Sequence, residues 1–222
     1  MSAVLRATEH EIAVRWLGRV DYETTWRAMH DFTTARTTTT PDELWLLEHP
    51  PVYTMGLKGH ARAPTSLHGI PVVRTDRGGD MTYHGPGQLV VYLLLDLAQL
   101  GLGPKKLVWE LEQTVIDLLA DDDVAAQRRA GAPGVYVENK KIAALGLRVR
   151  RMCSYHGLAL NVDMDLAPFT YIDPCGMPGL GVTQLVELGI ANDMESVRRR
   201  LLERLLKRLG YNRLSFLSAS TS

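Results

Sequence analysis

The chain has 222 residues, of which 45% are hydrophobic and 23% are charged, and its formal net charge at pH 7 is zero. These proportions are typical of a folded globular protein and argue against intrinsic disorder. The balanced charge argues against a protein that binds nucleic acid through bulk electrostatics. A chain of this length can bury a complete core without a metal or a disulfide, so we expect one domain spanning residues 1–222.

Neither a signal peptide nor a membrane helix is expected. The first ten residues contain no long apolar run, and no segment reaches the ~18–20 apolar residues of a membrane helix. The longest apolar stretch, Leu89 to Leu97, contains Tyr92 and Asp96. We therefore expect a soluble, cytoplasmic protein that binds neither membranes nor nucleic acid. In that reducing compartment the two cysteines, Cys153 and Cys175, are expected to be free thiols.

In the N-terminal half, Asp21 is predicted to cap a helix, because apolar residues follow it at three- and four-residue spacing. Two apolar segments, 44–47 and 71–74, predict strands. A third apolar strand is predicted at 89–95. Between the last two strands, residues 77–88 carry four glycines, and this segment is predicted to be a loop.

In the C-terminal half, hydrophobic periodicity predicts two helices, and turn residues predict a β-hairpin with a third partner strand. These elements are a helix at 105–119, strands at 134–137, 141–149 and 154–161, and a closing helix at 194–209 between Asp193 and Gly210. Hairpin signals are too frequent for a purely parallel sheet. The predicted fold class is α/β (α+β), with a mixed, largely antiparallel sheet flanked by helices.

Cys175 lies in Asp173-Pro-Cys-Gly-Met-Pro-Gly179, a segment rich in residues that shape the backbone. Structural cysteines usually lie in apolar interiors, so this cysteine is a candidate nucleophile. The segment alone is equally compatible with an incidental loop cysteine. A thiol with an unperturbed pKa of ~8.5 needs a nearby cation or base to react at neutral pH.

Lys141 is the candidate base, at the start of a strand whose small residues Ala144 and Gly146 would let a substrate lie against it. Strand alternation places its neighbour Lys140 on the opposite face. The competing interpretation is that both lysines are solvated turn residues. Nothing in the sequence by itself brings Lys141 and Cys175 together, so their pairing is a hypothesis.

The glycine-bearing segment 77–88 is the most unusual part of the chain. It lacks the Gly-Lys-Ser/Thr ending of a P-loop, and it precedes a strand rather than a helix, which argues against a dinucleotide fingerprint. A tight hairpin would need two glycines rather than four, so we interpret the segment as a ligand-binding wall. The roles of His84 and His156 stay ambiguous. The histidines show no metal-ligand spacing, and no metal is expected.

Four motifs, taken in chain order, resemble the signature of the lipoyl(octanoyl) transferases. They are Arg77-Gly-Gly-Asp-Met-Thr-Tyr-His-Gly-Pro-Gly-Gln88, Gly134-Val-Tyr-Val-Glu-Asn-Lys-Lys-Ile-Ala-Ala-Leu-Gly146, Ser154-Tyr-His-Gly-Leu-Ala-Leu-Asn161 and Asp173-Pro-Cys-Gly176. The resemblance implies a fold like the catalytic domain of the biotin and lipoate protein ligases, with no cofactor. The chain departs from the motif after the cysteine, because Thr183-Gln-Leu185 stands where many members have Thr-Ser-Leu.

The resemblance further implies transfer of an octanoyl group from octanoyl-acyl carrier protein to a lysine of a lipoyl domain, the first step of lipoate cofactor biosynthesis. The implied acceptors are the lipoyl domains of 2-oxoacid dehydrogenases and the glycine cleavage H protein. Cys175 would carry the acyl group as a thioester, and Lys141 would lower the pKa of its thiol. The implied substrate-binding residues are Arg77, Gly78, Gly79, Asp80, Met81, Thr82, Tyr83, His84, Ala144, Leu145, Gly146, Gly157, Leu158 and Ala159.

Four alternatives stay open. An ATP-dependent lipoate or biotin ligase would not need Cys175, and an amidotransferase would move octanoyl between two lipoyl domains. A non-catalytic acyl-binding module is a third alternative, and a cysteine hydrolase is the least favoured. Two basic sets, one on the last helix and one at Arg148, Arg150 and Arg151, are candidate docking sites for an acidic carrier, and the sequence does not choose between them.

Overall fold

The computed structural model describes residues 10–59, 64–173, 179–190 and 193–217. In chain order its strands are β1 (Glu11–Arg19), β2 (Asp42–Glu48), β3 (Val52–Met55), β4 (Ser66–Leu67), β5 (Ile70–Arg74), β6 (Met81–His84), β7 (Gln88–Leu94), β8 (Gly134–Val137), β9 (Lys140–Arg150), β10 (Cys153–Asn161) and β11 (Arg213–Leu217). Its α-helices are α1 (Tyr22–Ala35), α2 (Pro104–Ala120) and α3 (Met194–Leu209). Two 3₁₀ turns span Ala167–Tyr171 and Val186–Leu188.

The strands form two sheets. The main sheet has seven strands in the spatial order β11-β1-β2-β7-β10-β9-β8, and a smaller sheet has the order β4-β5-β3-β6. In the main sheet β1 runs parallel to both β11 and β2, and every other neighbouring pair is antiparallel. The predicted fold class, with its mixed and largely antiparallel sheet, is confirmed.

Helices cover both faces of the main sheet. The apolar stripes of α2 and α3, such as Leu111 and Leu205, pack on one face in the largest cluster of buried residues. On the other face α1 contributes Met29, which packs with Trp45 and Tyr92. Burying each such side chain contributes about 1.5–3 kcal/mol, so the two helical layers hold the sheet from both sides. None of the helices that the structure describes is long and apolar enough to cross a membrane.

The ends of α3 agree with the prediction. The Asp193 side chain accepts a hydrogen bond from the Ser196 amide at 3.0 Å, and Gly210 ends the helix in the left-handed conformation, with φ of 79°. A carboxylate at the N-cap and a glycine after the last turn satisfy backbone groups that the helix itself leaves unpaired.

Two sequence-based predictions were wrong. The segment 77–88 is not a continuous loop, because it contains β6, which pairs antiparallel with β3. Four residues between glycines are too few to show strand alternation in the sequence. The chain also does not end its regular structure with α3, since β11 follows and pairs parallel with β1, an element that the sequence pattern had not revealed.

Gly87, between β6 and β7, fixes how the smaller sheet joins the main one. Its φ is +83°, and its carbonyl accepts hydrogen bonds from the amides of Val162 (3.1 Å) and Asp163 (3.0 Å). A Cβ at this position would clash with the Asp163 carbonyl. Only glycine therefore allows the backbone of this connection to lie against the end of β10.

Gly87→Ala is expected to destabilise the fold more than Gly101→Ala does. Both residues have positive φ, but a Cβ at Gly101 meets no atom within 4 Å. Gly101→Ala should cost roughly 1–2 kcal/mol from the conformation alone, and the clash at Gly87 should add about 1–3 kcal/mol. Urea unfolding of the two variants measures the difference, and equal free energies of unfolding would contradict the assigned contact.

Candidate active site

Small residues on β9 and β10 leave a space above the main sheet. Ala144 pairs with Ala159 across the two strands, and Gly146 pairs with Gly157. A Cβ at Gly157 would clash with the backbone carbonyl of Val91, so this glycine also lets β10 and β7 lie at ladder distance. These four positions form the floor of a cavity, here called the acyl cavity, which lies between the main sheet and β6.

The acyl cavity brings together most of the residues that the sequence had singled out. Of those residues, the ones lining it are Arg77, Gly79, Asp80, Met81, Thr82, His84, Lys141, Ala144, Leu145, Gly146, Gly157, Leu158 and Ala159. Gly78 and Tyr83 are not among the lining residues. Gly78 donates its amide to the Leu147 carbonyl at 2.9 Å, and the Tyr83 ring packs against Tyr53 on the other side of β6.

Arg77 is buried and shapes the glycine-bearing segment from inside. Its guanidinium donates to the carbonyl oxygens of Thr54 (2.6 Å) and Asp80 (2.7 Å) and to that of Gly78 (2.9 Å). Its Nε also donates to the Thr54 hydroxyl at 3.1 Å. A guanidinium has five donors in a fixed plane, so a single side chain can hold several carbonyls in one arrangement.

Lys141 is buried, with 4% of its surface exposed, whereas its neighbour Lys140 is exposed. This excludes the alternative in which both lysines are solvated turn residues. The Lys141 ammonium donates to the Pro133 carbonyl at 3.3 Å and lies 5.1 Å from the centroid of the Tyr136 ring. Burying a cation costs free energy unless polar or aromatic groups surround it. Here a backbone carbonyl and a tyrosine ring lie next to the Lys141 ammonium.

The segment that follows Cys175 in sequence binds directly to the Lys141 backbone. The Lys141 amide donates to the Gly181 carbonyl at 2.9 Å, and its carbonyl accepts from the Thr183 amide at 3.0 Å. Val182, between them, lines the acyl cavity. Cys175 itself lies outside the described residues, so its pairing with Lys141 stays a prediction.

Sequence reasoning missed several residues of the cavity wall, among them Tyr22, Val90, Tyr92, Asn161, Phe169 and Val182. The sequence does contain a feature that could have identified Tyr92, because its polar hydroxyl interrupts an otherwise aliphatic strand. No such feature marks Tyr22, because its position at the cavity depends on how α1 packs against the sheet.

His156, which is buried and lines the cavity, pairs with the partly exposed Asp76. His156 Nε2 lies 3.1 Å from an Asp76 carboxylate oxygen, and Trp26 and Tyr155 also donate to that carboxylate. Burial alone would raise the pKa of Asp76, but these hydrogen bonds hold it well below its usual range. Burial lowers the pKa of His156. His156 has a φ of +61°, and its Nδ1 has no hydrogen-bond partner in the described part of the chain.

A chain of side-chain hydrogen bonds connects β6 to the neighbours of Lys141. His84 Nδ1 lies 2.7 Å from the Gln88 side-chain oxygen, Gln88 donates to Asn161 at 2.9 Å, and Asn161 donates to the Thr183 carbonyl at 2.9 Å. Burial lowers the pKa of His84 to about 3. Burial likewise lowers the pKa of His49, whose ring contacts that of His84, to about 4. Both rings are therefore neutral at pH 7.

These two histidines should make the protein less stable as the pH falls. Between pH 6.5 and about 4, the unfolded chain binds a proton at each ring that the folded protein does not bind. The free energy of unfolding should therefore fall by up to about 1.4 kcal/mol per pH unit for each group. Urea unfolding at pH 7 and pH 5 should show a shallower decline for His49→Gln. His30→Gln, at a histidine whose side chain is 42% exposed, is the control. An unchanged slope in His49→Gln would contradict the assignment.

Within the four described ranges, no group of three or more His, Cys, Asp or Glu side chains could hold a metal ion.

Solved structures share this fold at low sequence identity. A lipoate-protein ligase A bound with ATP superposes with a TM-score of 0.74 at 14% identity, covering 96% of this chain and 90% of that one. A putative lipoate protein ligase from T. acidophilum with bound lipoic acid gives 0.72 at 14% identity, covering 96% and 91%. The biotin protein ligase from Aquifex aeolicus gives 0.55 at 15%, covering 89% and 68%. The predicted resemblance to this fold is confirmed.

Sequence comparison is more specific. An octanoyltransferase from Thiobacillus denitrificans is 59% identical over 194 residues, covering 87% of this chain and 89% of the relative. Another from Aromatoleum aromaticum is 59% identical over 198 residues, covering 89% and 86%. Residues 21–206 match the model of the lipoyl protein ligase A/B catalytic domain. The chain belongs to the lipoyl protein ligase A/B catalytic domain family, and it is an acyltransferase.

Proposed function

We propose that this enzyme transfers an octanoyl group from octanoyl-acyl carrier protein to a lysine of lipoyl domains, through a thioester on Cys175, in the first step of lipoate biosynthesis. Its acceptors are the lipoyl domains of 2-oxoacid dehydrogenases and the glycine cleavage H protein. The observation that carries the proposal is the buried ammonium of Lys141, which lines a cavity with a floor of small residues. The octanoyltransferase names of the relatives support the choice of acyl group.

The acyl cavity has the chemistry to hold a fatty chain. Besides the floor, its apolar wall includes Val90, Leu158, Phe169 and Val182. Each methylene that leaves water for such a surface contributes about 0.8 kcal/mol, so about seven of them contribute on the order of 5 kcal/mol. A free energy of that size favours an octanoyl chain over much shorter ones wherever the whole chain is buried against such a surface.

Covalent connectivity supports the pairing of Cys175 with Lys141. Cys175 comes two residues after Asp173 and six before Gly181, whose carbonyl accepts the Lys141 amide. Ile172 precedes residues 174–178 in the chain and Val182 follows them. Both pack against the same apolar cluster, which includes Phe169 of the cavity wall. The described ends of this segment therefore lie at the same part of the fold.

In the first step, the Cys175 thiolate attacks the thioester carbonyl, so a new carbon–sulfur bond forms and the bond to the pantetheine sulfur breaks. The Lys141 ammonium gives its proton to the departing thiolate. Exchange of one thioester for another is nearly isoenergetic and needs no ATP. In the second step, the neutral amine of the acceptor lysine attacks, Lys141 takes up its proton, and the Cys175 thiolate leaves. An amide is more stable than a thioester, so this step is downhill, and the kinetics are ping-pong.

Cys175→Ser should form no acyl-enzyme and show no turnover. A thiol can ionise near neutral pH, whereas a serine hydroxyl cannot. Mass spectrometry of the wild type with octanoyl-acyl carrier protein should detect a hydroxylamine-labile octanoyl adduct on Cys175. Cys153→Ser is the control. Burial raises the pKa of Cys153, which makes its thiol a poor nucleophile, and this variant should retain most of the activity. An adduct on any residue other than Cys175 would refute the assignment.

Lys141→Arg should lower kcat by roughly 10²- to 10⁴-fold, because arginine keeps the charge but does not exchange a proton at neutral pH. The same exchange at the exposed neighbour, Lys140→Arg, should leave kcat unchanged. Stopped-flow measurement of acyl-enzyme formation separates a loss of the first step from a loss of the second. Full activity in Lys141→Arg would show that Lys141 is not the proton carrier.

Substrate choice separates this proposal from an ATP-dependent ligase. The wild type should modify a lipoyl domain when given octanoyl-acyl carrier protein, and it should form no product from octanoate with ATP and Mg²⁺. Product formation from octanoate and ATP, retained in Cys175→Ser, would identify a ligase instead.

A further inference from the structure

Three arginines of α3 pair with acidic residues in the last turn of α2 or just after it. Arg208 lies 2.5 Å from Asp117, Arg200 lies 2.5 Å from Asp122, and Arg204 pairs with Asp121. These ion pairs engage Arg200, Arg204 and Arg208 and hold α3 against the end of α2. Of the two candidate basic surfaces, the one that includes Arg148 is therefore the better docking surface for an anionic partner.

Arg148 borders a second cavity, here called the β9-edge groove, with a volume of about 490 Å³. That volume lies within the range of about 300–1,000 Å³ that is typical of small-molecule sites. The wall of the groove is largely apolar, with Leu57, Val108 and Leu147 among its residues. The groove therefore suits the uncharged part of a ligand.

The groove adjoins the acyl cavity and passes close to Lys141. Gly79, Asp80, Leu145 and Gly146 line both cavities, so one stretch of β9 separates them. Pro133 also lines the groove, and its carbonyl accepts the hydrogen bond from the Lys141 ammonium. A ligand in the groove can thus place one end beside the candidate catalytic lysine.

The strand edge in the groove offers backbone hydrogen bonds. β8 pairs with β9 only as far as Ala144. Beyond that point the Leu147 carbonyl accepts the Gly78 amide, so the polar groups of Leu147 point to the outer side of β9. Backbone groups of alternate residues in an antiparallel strand point the same way, which places those of Leu145 on this side too. An extended ligand that contains amide groups can pair with such an edge.

Three exposed cations border the groove, Lys58, Lys105 and Arg148. Among the described residues that line it, Asp80 is the one carboxylate. The excess of positive charge at the rim attracts an anion such as a phosphodiester, and exposed cations of this kind act mainly on encounter and orientation.

We propose that the β9-edge groove binds the phosphopantetheine arm of the acyl donor, with the thioester beside Lys141, the two amides of the arm along the β9 edge and the phosphodiester near Lys58, Lys105 and Arg148. The arm enters on one side of β9 while the acyl chain lies on the other side, in the acyl cavity. This inference rests on the proposed carrier-protein donor and adds the path by which that donor reaches the site.

The double variant Lys105→Glu/Arg148→Glu tests the groove. Its KM for octanoyl-acyl carrier protein should rise roughly tenfold, with kcat changed less than twofold, and the rise should shrink at high salt. With octanoyl-pantetheine, which lacks the phosphate and the protein, KM should equal that of the wild type. Arg199→Glu, an exposed charge reversal on α3, is the matched control and should behave as the wild type with both donors.

Two outcomes would overturn the groove assignment. They are an unchanged KM for octanoyl-acyl carrier protein in the double variant and an equal rise in KM for both donors. Failure of the proposed function is visible separately, because the wild type would then form no acyl-enzyme from octanoyl-acyl carrier protein.

Discussion

The site depends on the four small residues where β9 faces β10. Paired alanines at Ala144 and Ala159 and paired glycines at Gly146 and Gly157 leave room that larger side chains would fill. The glycine of β10 is doubly constrained, because a side chain there would also push the strand away from β7. The floor of the cavity is therefore a consequence of sheet packing.

The walls above that floor are held by neutral and backbone groups rather than by opposite charges. Arg77 binds carbonyl oxygens of the glycine-bearing segment, and neutral His84 begins the hydrogen-bond chain that ends at the Thr183 carbonyl, beside Lys141. Because burial keeps His84 and His49 uncharged at pH 7, they add no charge near the apolar part of the cavity wall. The charge of an ammonium group acts more strongly in a low-dielectric cavity than in water.

Local signals in the sequence predicted local structure well. The cap at Asp193, the turn at 138–139 and the opposite faces of Lys140 and Lys141 all follow from rules that span a few residues. Long-range pairings were not predictable in this way. The parallel contact of β11 with β1 joins residues about 200 positions apart, and Asp76 has its partners Trp26 and His156 at 50 and 80 positions away. Periodicity carries no information about such contacts.

The proposed double displacement requires the enzyme to release the donor's arm and admit a lysine at the same carbon while the acyl chain stays bound. In this fold β9 provides a physical separation for that task. The acyl cavity lies on the face with Ala144, and the β9-edge groove lies along the outer edge near Leu147. An arm in the groove can leave after the first step without disturbing a chain in the cavity. The same end of the groove, beside Pro133 and Lys141, then becomes available to the acceptor lysine. In the proposed mechanism, the two substrates therefore reach the thioester in turn from this one end of the groove.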